Sequence, residues 1–376
     1  MKYFIIAGEP SGDLHGSNLI QAIQQKDKQS EIKFWGGDWM KQKAPDGLLT
    51  HYKEITTMGI VEVVKKLGSI FKNMNRCKSD ILNFKPDVVV FIDFPGFNIR
   101  IAEFCKTNGI KTAYYIAPKI WAWKEYRGKK LEKFIDELII IFPFEVEYFK
   151  KWKVNCTYVG NPLLDSIANY RSAQLQNART QNQIPTIALL PGSRRQEITK
   201  ILPVMLSVVK HFPNHKFVVA GVSALDNSVY APFVQDNIEI VYDKTYQVLE
   251  NAEAAVVCSG TATLETALLN VPQVCGYIAN PISVWIARKL VSVKYASLVN
   301  LCLNRFAITE LIQEEFTTEN IVKELSLILP NGEKRETILN DYAIVRAMLD
   351  KQGASSGAAE VIINLARKQL KPFRNY

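Results

Sequence analysis

The residues best equipped for chemistry stand where apolar runs end. The run from Asp87 to Ile92 reads as a buried parallel strand, and Asp93-Phe94-Pro95-Gly96 follows at its carboxyl end. A carboxylate there can act as a general base toward a hydroxyl within hydrogen-bond reach. Capping of the following helix is the competing job for Asp93, and Asn98 competes for that job in turn. Near the amino terminus, Gly8-Glu9-Pro10-Ser11-Gly12-Asp13-Leu14-His15-Gly16 follows the apolar run Lys2 to Ala7 and precedes a helix reaching about Gln25. Its glycines do not match GxGxxG. A glycine turn opening a helix still lets backbone approach a ligand and offers free N–H groups. Glu9 and Ser11, so early in the turn, favour a ligand role; the alternative is that Ser11 or Asp13 is an ordinary N-cap.

Two further turns carry positive or hydrogen-bonding groups. Leu190-Pro191-Gly192-Ser193-Arg194-Arg195 ends a strand with adjacent arginines, whose planar forks suit phosphate oxygens. Arg194, nearer the turn, is preferred to Arg195 as a diphosphate stabiliser, with Gly192 and Ser193 beside it; two surface arginines are the plainer reading. Cys258-Ser259-Gly260-Thr261-Ala262-Thr263-Leu264-Glu265 again takes a strand end into a helix. Ser259, Gly260 and Thr261 leave N–H groups for phosphate oxygens, and Glu265 could accept from ribose hydroxyls. A simple Ser or Thr N-cap is the alternative.

Two apolar features complete the inventory. Tyr114 to Lys124 places Trp121 and Trp123 beside a lysine, which suits a sugar face, a phosphate or plain core packing. The basic stretch Lys124, Arg127, Lys129, Lys130 and Lys133 reads as a solvated face. Ile60, Val63, Val64, Leu67, Ile70, Phe71 and Met74 recur at helical spacing among lysines. Such a stripe faces a core or, with Val61 beside it, dips into an anionic membrane.

These groups need strands and helices to hold them. Strand-like runs recur at Lys2 to Ala7, Ile32 to Trp35, Asp87 to Ile92, Lys111 to Ile116 and Glu137 to Ile141. They resume at Thr186 to Leu190, Lys216 to Ala220, Ile238 to Val241, Ala254 to Cys258 and Gln273 to Tyr277. Amphipathic stretches alternate with them, so the expected fold class is α/β with two tandem Rossmann-like domains and a ligand cleft between the carboxyl ends of the sheets. The expected domains are residues 1–170 and 171–350, followed by a helix in 351–376 that could pack back on the first.

Composition narrows the function classes. The chain has 376 residues, 48% hydrophobic and 22% charged, with a formal charge of +9. That is a folded chain, too apolar for disorder. The surplus charge would attract nucleic acid, anionic lipid or phosphorylated substrates. Nucleic acid is least favoured, because the basic residues lack interleaved stacking aromatics. No apolar run approaches a bilayer span, and Glu9 and Asp13 interrupt any signal-peptide core, so a cytoplasmic chain is expected. Six scattered cysteines lack a CxxC pair and four histidines share no ligand spacing, so neither a disulfide framework nor a metal site is expected.

Taken in order, AGEPSGDLHG, MGIVEV at Met58 to Val63, KPDVVVFIDFPGFN, APKIWAWK, FPFE at Phe142 to Glu145, LPGSRRQE, SGTATLE and YASLVN at Tyr295 to Asn300 resemble the lipid A disaccharide synthases of the bacterial lipopolysaccharide pathway. The resemblance spans nearly the whole chain. It implies a GT-B fold and an inverting transfer from UDP-2,3-diacylglucosamine to the 6-hydroxyl of 2,3-diacylglucosamine 1-phosphate at the inner face of the cytoplasmic membrane. It further implies Asp93 as base, Arg194 as diphosphate stabiliser, and Glu9 and Ser11 near the reacting groups. Ser259, Gly260, Thr261 and Glu265 would hold the nucleotide, and Asn300 would serve the donor side. Gly96 departs from relatives that carry an acid there, which argues against two acids on this loop. No Asp-x-Asp triplet occurs, so no metal or other cofactor is expected. Another UDP-sugar enzyme of this fold, such as a UDP-GlcNAc epimerase, and a non-catalytic lipid or nucleotide binder are the competing readings.

Overall fold

The computed structural model describes residues 1–56, 63–121, 125–174, 184–223, 225–233, 238–278 and 294–368, with no side-chain description for 55–70, 173–174 and 227. Of the apolar stripe, Ile60 lies outside the described residues, as do Trp123 and Lys124, and Val63 through Ile70 are described as helical backbone alone. Two compact units emerge: Met1–Pro162 with the segment from Lys351, and Leu163–Asp350.

In the first unit the strands are β1 (Lys2–Ala7), β2 (Glu31–Gly36), β3 (Leu48–His51), β4 (Val88–Ile92), β5 (Lys111–Tyr115), β6 (Glu137–Ile140) and β7 (Cys156–Tyr158). They form one sheet in the order β3-β2-β1-β4-β5-β6-β7, every pair parallel. Helices cover the sheet, which is why β4 is an unbroken apolar run with every residue buried. The helix Ala354–Arg367 belongs to this unit, packing against the helix Pro10–Lys26 and against β4 to β6. Lys111 Nζ donates to its Ala366 carbonyl at 2.7 Å.

The second unit holds β8 (Thr186–Leu190), β9 (Lys216–Gly221), β10 (Ile238–Tyr242), β11 (Ala254–Cys258), β12 (Gln273–Tyr277) and β13 (Glu310–Ile312) in the order β10-β9-β8-β11-β12-β13, again parallel throughout. The division falls at Pro162 rather than at 170, because the helix Pro162–Gln174 packs into the second unit. Its Tyr170 ring meets Tyr246 edge-on at 5.5 Å, and Arg171 pairs with Glu250 at 3.6 Å. Three strands were not anticipated from sequence. β3, β7 and β13 are edge strands of three or four residues carrying His51, Thr157 and Glu310, too short and polar for a period-two signal.

Asp13 explains how the first turn is fixed. It is buried, and it does not cap its own helix. Its Oδ1 accepts from the Gly37 and Met40 amides at 2.7 and 3.1 Å, and its Oδ2 from the Trp39 amide at 3.0 Å. The carboxylate thus holds the start of the helix Asp38–Lys43 against the turn after β1. Asp13→Ala would strand three amides, and urea unfolding should show a loss of about 3 kcal/mol; a loss below about 1 kcal/mol would mean that water replaces the carboxylate.

Candidate functional site

In a parallel sheet the strand ends that matter are those flanking the point where the connections diverge, which in the first unit lies between β1 and β4. Ala7 is level with Ile92 and Ile92 with Tyr115, so the segments beginning at Gly8, Asp93 and Ile116 emerge side by side. A Cβ at Gly8 would lie 2.3 Å from the Phe94 ring; only glycine lets the two turns close on each other. Glu9, Ser11 and Asp93 are thereby gathered at one edge of the sheet. Ser11 is exposed, and Glu9 occupies the N-cap position without a side-chain cap bond.

Asp93 is held under strain. Asp93, Phe94 and Ile116 all have left-handed backbones, with φ of 42°, 48° and 61°. Side chains with a Cβ resist this by about 1 kcal/mol each or more, most of all a β-branched one. The bonds that impose it are specific. Asn98 Nδ2 donates to the carbonyls of Ile92 and Asp93 at 3.3 and 2.7 Å, and the Tyr114 hydroxyl donates to the Asp93 carbonyl. Asn98 therefore tethers the strand end instead of capping the helix Pro95–Thr107, whose N-cap residue Phe94 makes no side-chain cap bond. The Asp93 carboxylate is not spent on capping either. Burial pushes its carboxyl above the ordinary range, while the Lys119 charge and the Phe94 amide pull it back.

A second buried carboxylate supports the neighbouring loop. Glu145 Oε2 accepts from the Ile141 and Phe142 amides at 3.2 and 3.1 Å, and Oε1 from Trp121 Nε1 at 3.1 Å. Trp121 is thus a braced residue, packed edge-on against Phe144. The basic residues Lys129, Lys130 and Lys133 are exposed, the solvated face anticipated for them.

In the second unit the divergence lies between β8 and β11, with Leu190 level with Val257. The turns carrying Gly192, Ser193 and Arg194 and carrying Ser259, Gly260 and Thr261 meet there, Gly192 lying against the Cys258 sulfur. Glu197 organises the first turn. Its Oε2 accepts from the Ser193 and Arg194 amides at 3.1 and 3.2 Å, so these two amides are not free for a phosphate. What remains is the Ser193 hydroxyl and the Arg194 guanidinium, which is 73% exposed and pairs with Glu197 Oε1 at 3.1 Å. An exposed pair of this kind is weak enough to open for an anion.

The second turn keeps part of its amides: Ser259 donates its N–H to the Gly276 carbonyl at 2.9 Å and Thr263 its N–H to the Gly260 carbonyl at 3.2 Å. Gly260, with φ of 152° and nothing within 4 Å of a would-be Cβ, presents open backbone ahead of the helix Thr261–Leu268. The Gly260, Thr261 and Ala262 amides, which make no hydrogen bond among the described residues, are available to an anion. Ser259 spends its hydroxyl on the Ala296 carbonyl at 2.7 Å, which ties the turn to the segment Tyr295 to Asn300. Glu265 receives the Tyr246 hydroxyl at 3.0 Å, and burial raises its carboxyl. Among the described residues its other oxygen carries no partner.

Asn300, expected on the donor side, is spent on its own surroundings. Its Nδ2 donates to the Ile308 carbonyl and Glu310 at 2.9 and 2.8 Å, and its Oδ1 accepts from the Ala307 and Ile308 amides at 2.7 and 2.9 Å. All four hydrogen-bonding positions of the amide are occupied, so in this structure the Asn300 side chain is committed to holding the wall. Glu310, which sequence reasoning missed, clamps the Ala296 and Ser297 amides at 2.9 and 2.8 Å. Nothing local marks it. Glu197 was legible, being the acid at the third residue of a helix that follows a serine turn. Among the described residues no cluster of His, Cys, Asp and Glu could hold a metal, and no helix is long and apolar enough to cross a membrane.

Against known proteins, residues 3–362 match the family model described as lipid-A-disaccharide synthetase. A lipid-A-disaccharide synthase of Syntrophus aciditrophicus is 34% identical over 374 residues, 97% of each chain, and one of Coxiella burnetii is 34% identical over 371 residues, 96% of this chain and 97% of the relative. A UDP-GlcNAc 2-epimerase of Neisseria meningitidis, solved with UDP-GlcNAc, superposes with a TM-score of 0.64 at 13% identity, covering 97% of this chain and 99% of that one. The glycosyltransferase of kitacinnamycin gives 0.64 at 11%, with the same coverages. These likenesses establish the fold, shared by GT-B glycosyltransferases and epimerases.

Two buried groups give the first unit opposing pH dependences. Burial raises Glu145 from 4.5 to about 7, so its contribution to stability is complete below about pH 4.5 and is lost as the pH rises through about 7. His15, whose Nδ1 is sealed without a partner among the described residues, is pushed down from 6.5 to about 4. Its contribution is complete above about pH 6.5 and is lost as the pH falls through about 4. Glu145→Gln removes the first slope alone. Its urea stability relative to wild type should therefore climb between pH 4.5 and 7, by on the order of 3 kcal/mol. A constant difference would show that Glu145 ionises without cost.

Proposed function

Because the chain belongs to the lipid-A-disaccharide synthetase family, we propose that it moves the 2,3-diacylglucosaminyl group of its UDP-linked donor to the 6-hydroxyl of 2,3-diacylglucosamine 1-phosphate. The observation that carries the mechanism is Asp93: a carboxylate under strain, raised by burial, committed to no cap, at the divergence point of a parallel sheet. Asp93 takes the proton of the acceptor hydroxyl. The freed oxygen forms its bond to C1 of the donor as the bond from C1 to the diphosphate oxygen breaks, which inverts C1 and sends the electron pair out with UDP. Arg194 and the first-turn amides after Gly260 offset the charge growing on the leaving diphosphate. Ser193 and the open side of Glu265 complete the donor's contacts, with Glu9 and Ser11 beside the acceptor. No metal or other cofactor enters this mechanism.

In this reading, the unit Met1–Pro162 with the segment from Lys351 binds the acceptor and faces the membrane, and the unit Leu163–Asp350 binds the UDP-sugar. The enzyme works in the cytoplasm as a peripheral protein on the inner membrane's lipid surface. Support for the lipid contact comes from the helix Val63–Phe84. Met74, Cys77 and Ile81 face the core, whereas Phe71 is 61% exposed beside exposed Lys72. Apolar surface next to lysines suits an anionic bilayer.

Asp93→Asn should lower turnover by about 10²-fold or more, read as disaccharide and UDP formed from both acylated sugars, with UDP binding retained. Turnover at the wild-type rate would remove Asp93 from the mechanism and favour a binding protein. The epimerase reading has the fold in its favour; conversion of UDP-GlcNAc without any acceptor would establish it. Replacing Val64, Leu67 and Phe71 by Ser should move folded protein from membranes to the soluble fraction, whereas unchanged sedimentation would assign the stripe to the core.

A further inference from the structure

A flexible carboxylate receives a ligand best when something already holds it in place, and Glu265 is held from a neighbouring helix. Its own helix follows β11, and the helix Thr245–Glu250 follows β10. Both belong to connections that run the same way along the sheet, β10 to β11 and β11 to β12. Right-handed crossovers therefore lay the two helices on one face, each starting at the carboxyl edge. Tyr246, the second residue of its helix, joins them: its hydroxyl donates to Glu265 Oε1 at 3.0 Å. A third helix sets the aim of that hydroxyl. From the helix Pro162–Gln174, the Tyr170 ring meets the Tyr246 ring edge-on at 5.5 Å, Arg171 pairs with Glu250 at 3.6 Å, and Ser166 is a further hydrogen-bonding neighbour of the phenol. Burial and the Glu265 charge both push the phenol well above its ordinary range, so it stays a donor.

We propose that Tyr246 is a positioning residue for the nucleotide: by taking Oε1 of Glu265 it turns Oε2 toward the ribose hydroxyls of a bound uridine diphosphate. The proposal rests on the UDP-sugar reading of this unit and names what fixes its ribose contact. Thr261 and Glu265 are four residues apart, so they share a face of the helix Thr261–Leu268, separated by about 6 Å along its axis. A 5′-diphosphate on the amides at the helix start and the ribose attached to it can bridge that spacing. Left alone on a helix face, a glutamate samples several rotamers, and ordering it on binding lowers affinity. Tyr246 orders it beforehand. The glutamates that only shape turns in this unit are differently used: Glu197 and Glu310 each accept two backbone amides. Glu265 accepts no amide among the described residues, and the Tyr246 bond takes one of its roughly four acceptor positions. The carboxylate is thus fixed in direction while most of its capacity stays open.

The test is calorimetric titration of UDP and of 2′,3′-dideoxy-UDP into wild-type, Tyr246→Phe, Glu265→Ala and doubly substituted protein. Phenylalanine keeps the ring against Tyr170 and removes only the hydroxyl. Wild-type protein should bind UDP more tightly than the dideoxy analogue. Tyr246→Phe should weaken UDP by about fivefold and leave the analogue unchanged. Added to Glu265→Ala, it should cause no further loss, because the two side chains act as one unit. In turnover, Tyr246→Phe should place its loss in KM for the UDP-linked donor rather than in kcat. Equal weakening of both nucleotides, undiminished UDP binding, or a full additional loss in the Glu265→Ala background would each overturn the assignment. Wild-type protein that binds the two nucleotides alike would overturn it too, since no ribose contact would then exist to position. Should Tyr246→Phe abolish a discrimination that wild type shows, while wild type forms no disaccharide, the disaccharide-forming reading falls and the role of Tyr246 stands.

Discussion

Desolvation of a carboxylate cuts both ways, and the first unit is arranged around that conflict at Asp93. In water the group is too weak a base to help a sugar hydroxyl; deep in a core it would simply hold its proton. Here burial raises it, and the Lys119 ammonium and Phe94 amide restrain the rise. The compromise depends on backbone that would not adopt its shape unaided. The demands for left-handed φ at Asp93 and Phe94 are met by bonds from Asn98 and Tyr114 to the Asp93 carbonyl and by a glycine at position 8 that lets the Phe94 ring across, and Ile116 beside them is left-handed too.

The carboxylates of this chain divide according to what their oxygens already hold. Asp13, Glu197 and Glu310 each accept two or more backbone amides, and each sits under a turn whose shape it fixes. Such groups are structural members, since an anion saturated with N–H bonds gains little by meeting a ligand. Asp93 has one amide and the charge of Lys119 acting on it, and Glu265 has one tyrosine. Unsatisfied acceptor capacity close to the strand ends marks where a substrate hydroxyl can be received. Asn300 lies on the structural side of the same line, its amide completely enclosed by Ile308, Ala307 and Glu310.

Much of this was readable beforehand because parallel strands announce themselves. Buried runs such as Val88–Ile92 and Ala254–Cys258 have no polar face to confuse the signal, and the turns after them collect glycine, serine and charge. The α/β class and tandem sheets followed directly. Edge strands did not, since β13 is three residues with a glutamate. Among side chains, position along a motif indicated proximity to the strand ends but not which atoms were already committed. Asn300 closes a distinctive block, yet its partners come from residues 307 to 310, beyond any local pattern.

The two sheets share a plan and differ in charge, and that difference bears on the chemistry. At the divergence point of the first sheet the committed feature is a carboxylate whose basicity has been raised; at that of the second it is an exposed guanidinium and a glycine-opened helix start. Deprotonating a hydroxyl and releasing a diphosphate are complementary demands, one creating negative charge at the nucleophile and one dispersing it at the leaving group. A nucleotide binder would need only the second set. Retaining both, with strain spent on the first and open amides kept for the second, is the economy expected of an enzyme that exchanges one oxygen for another at a sugar carbon.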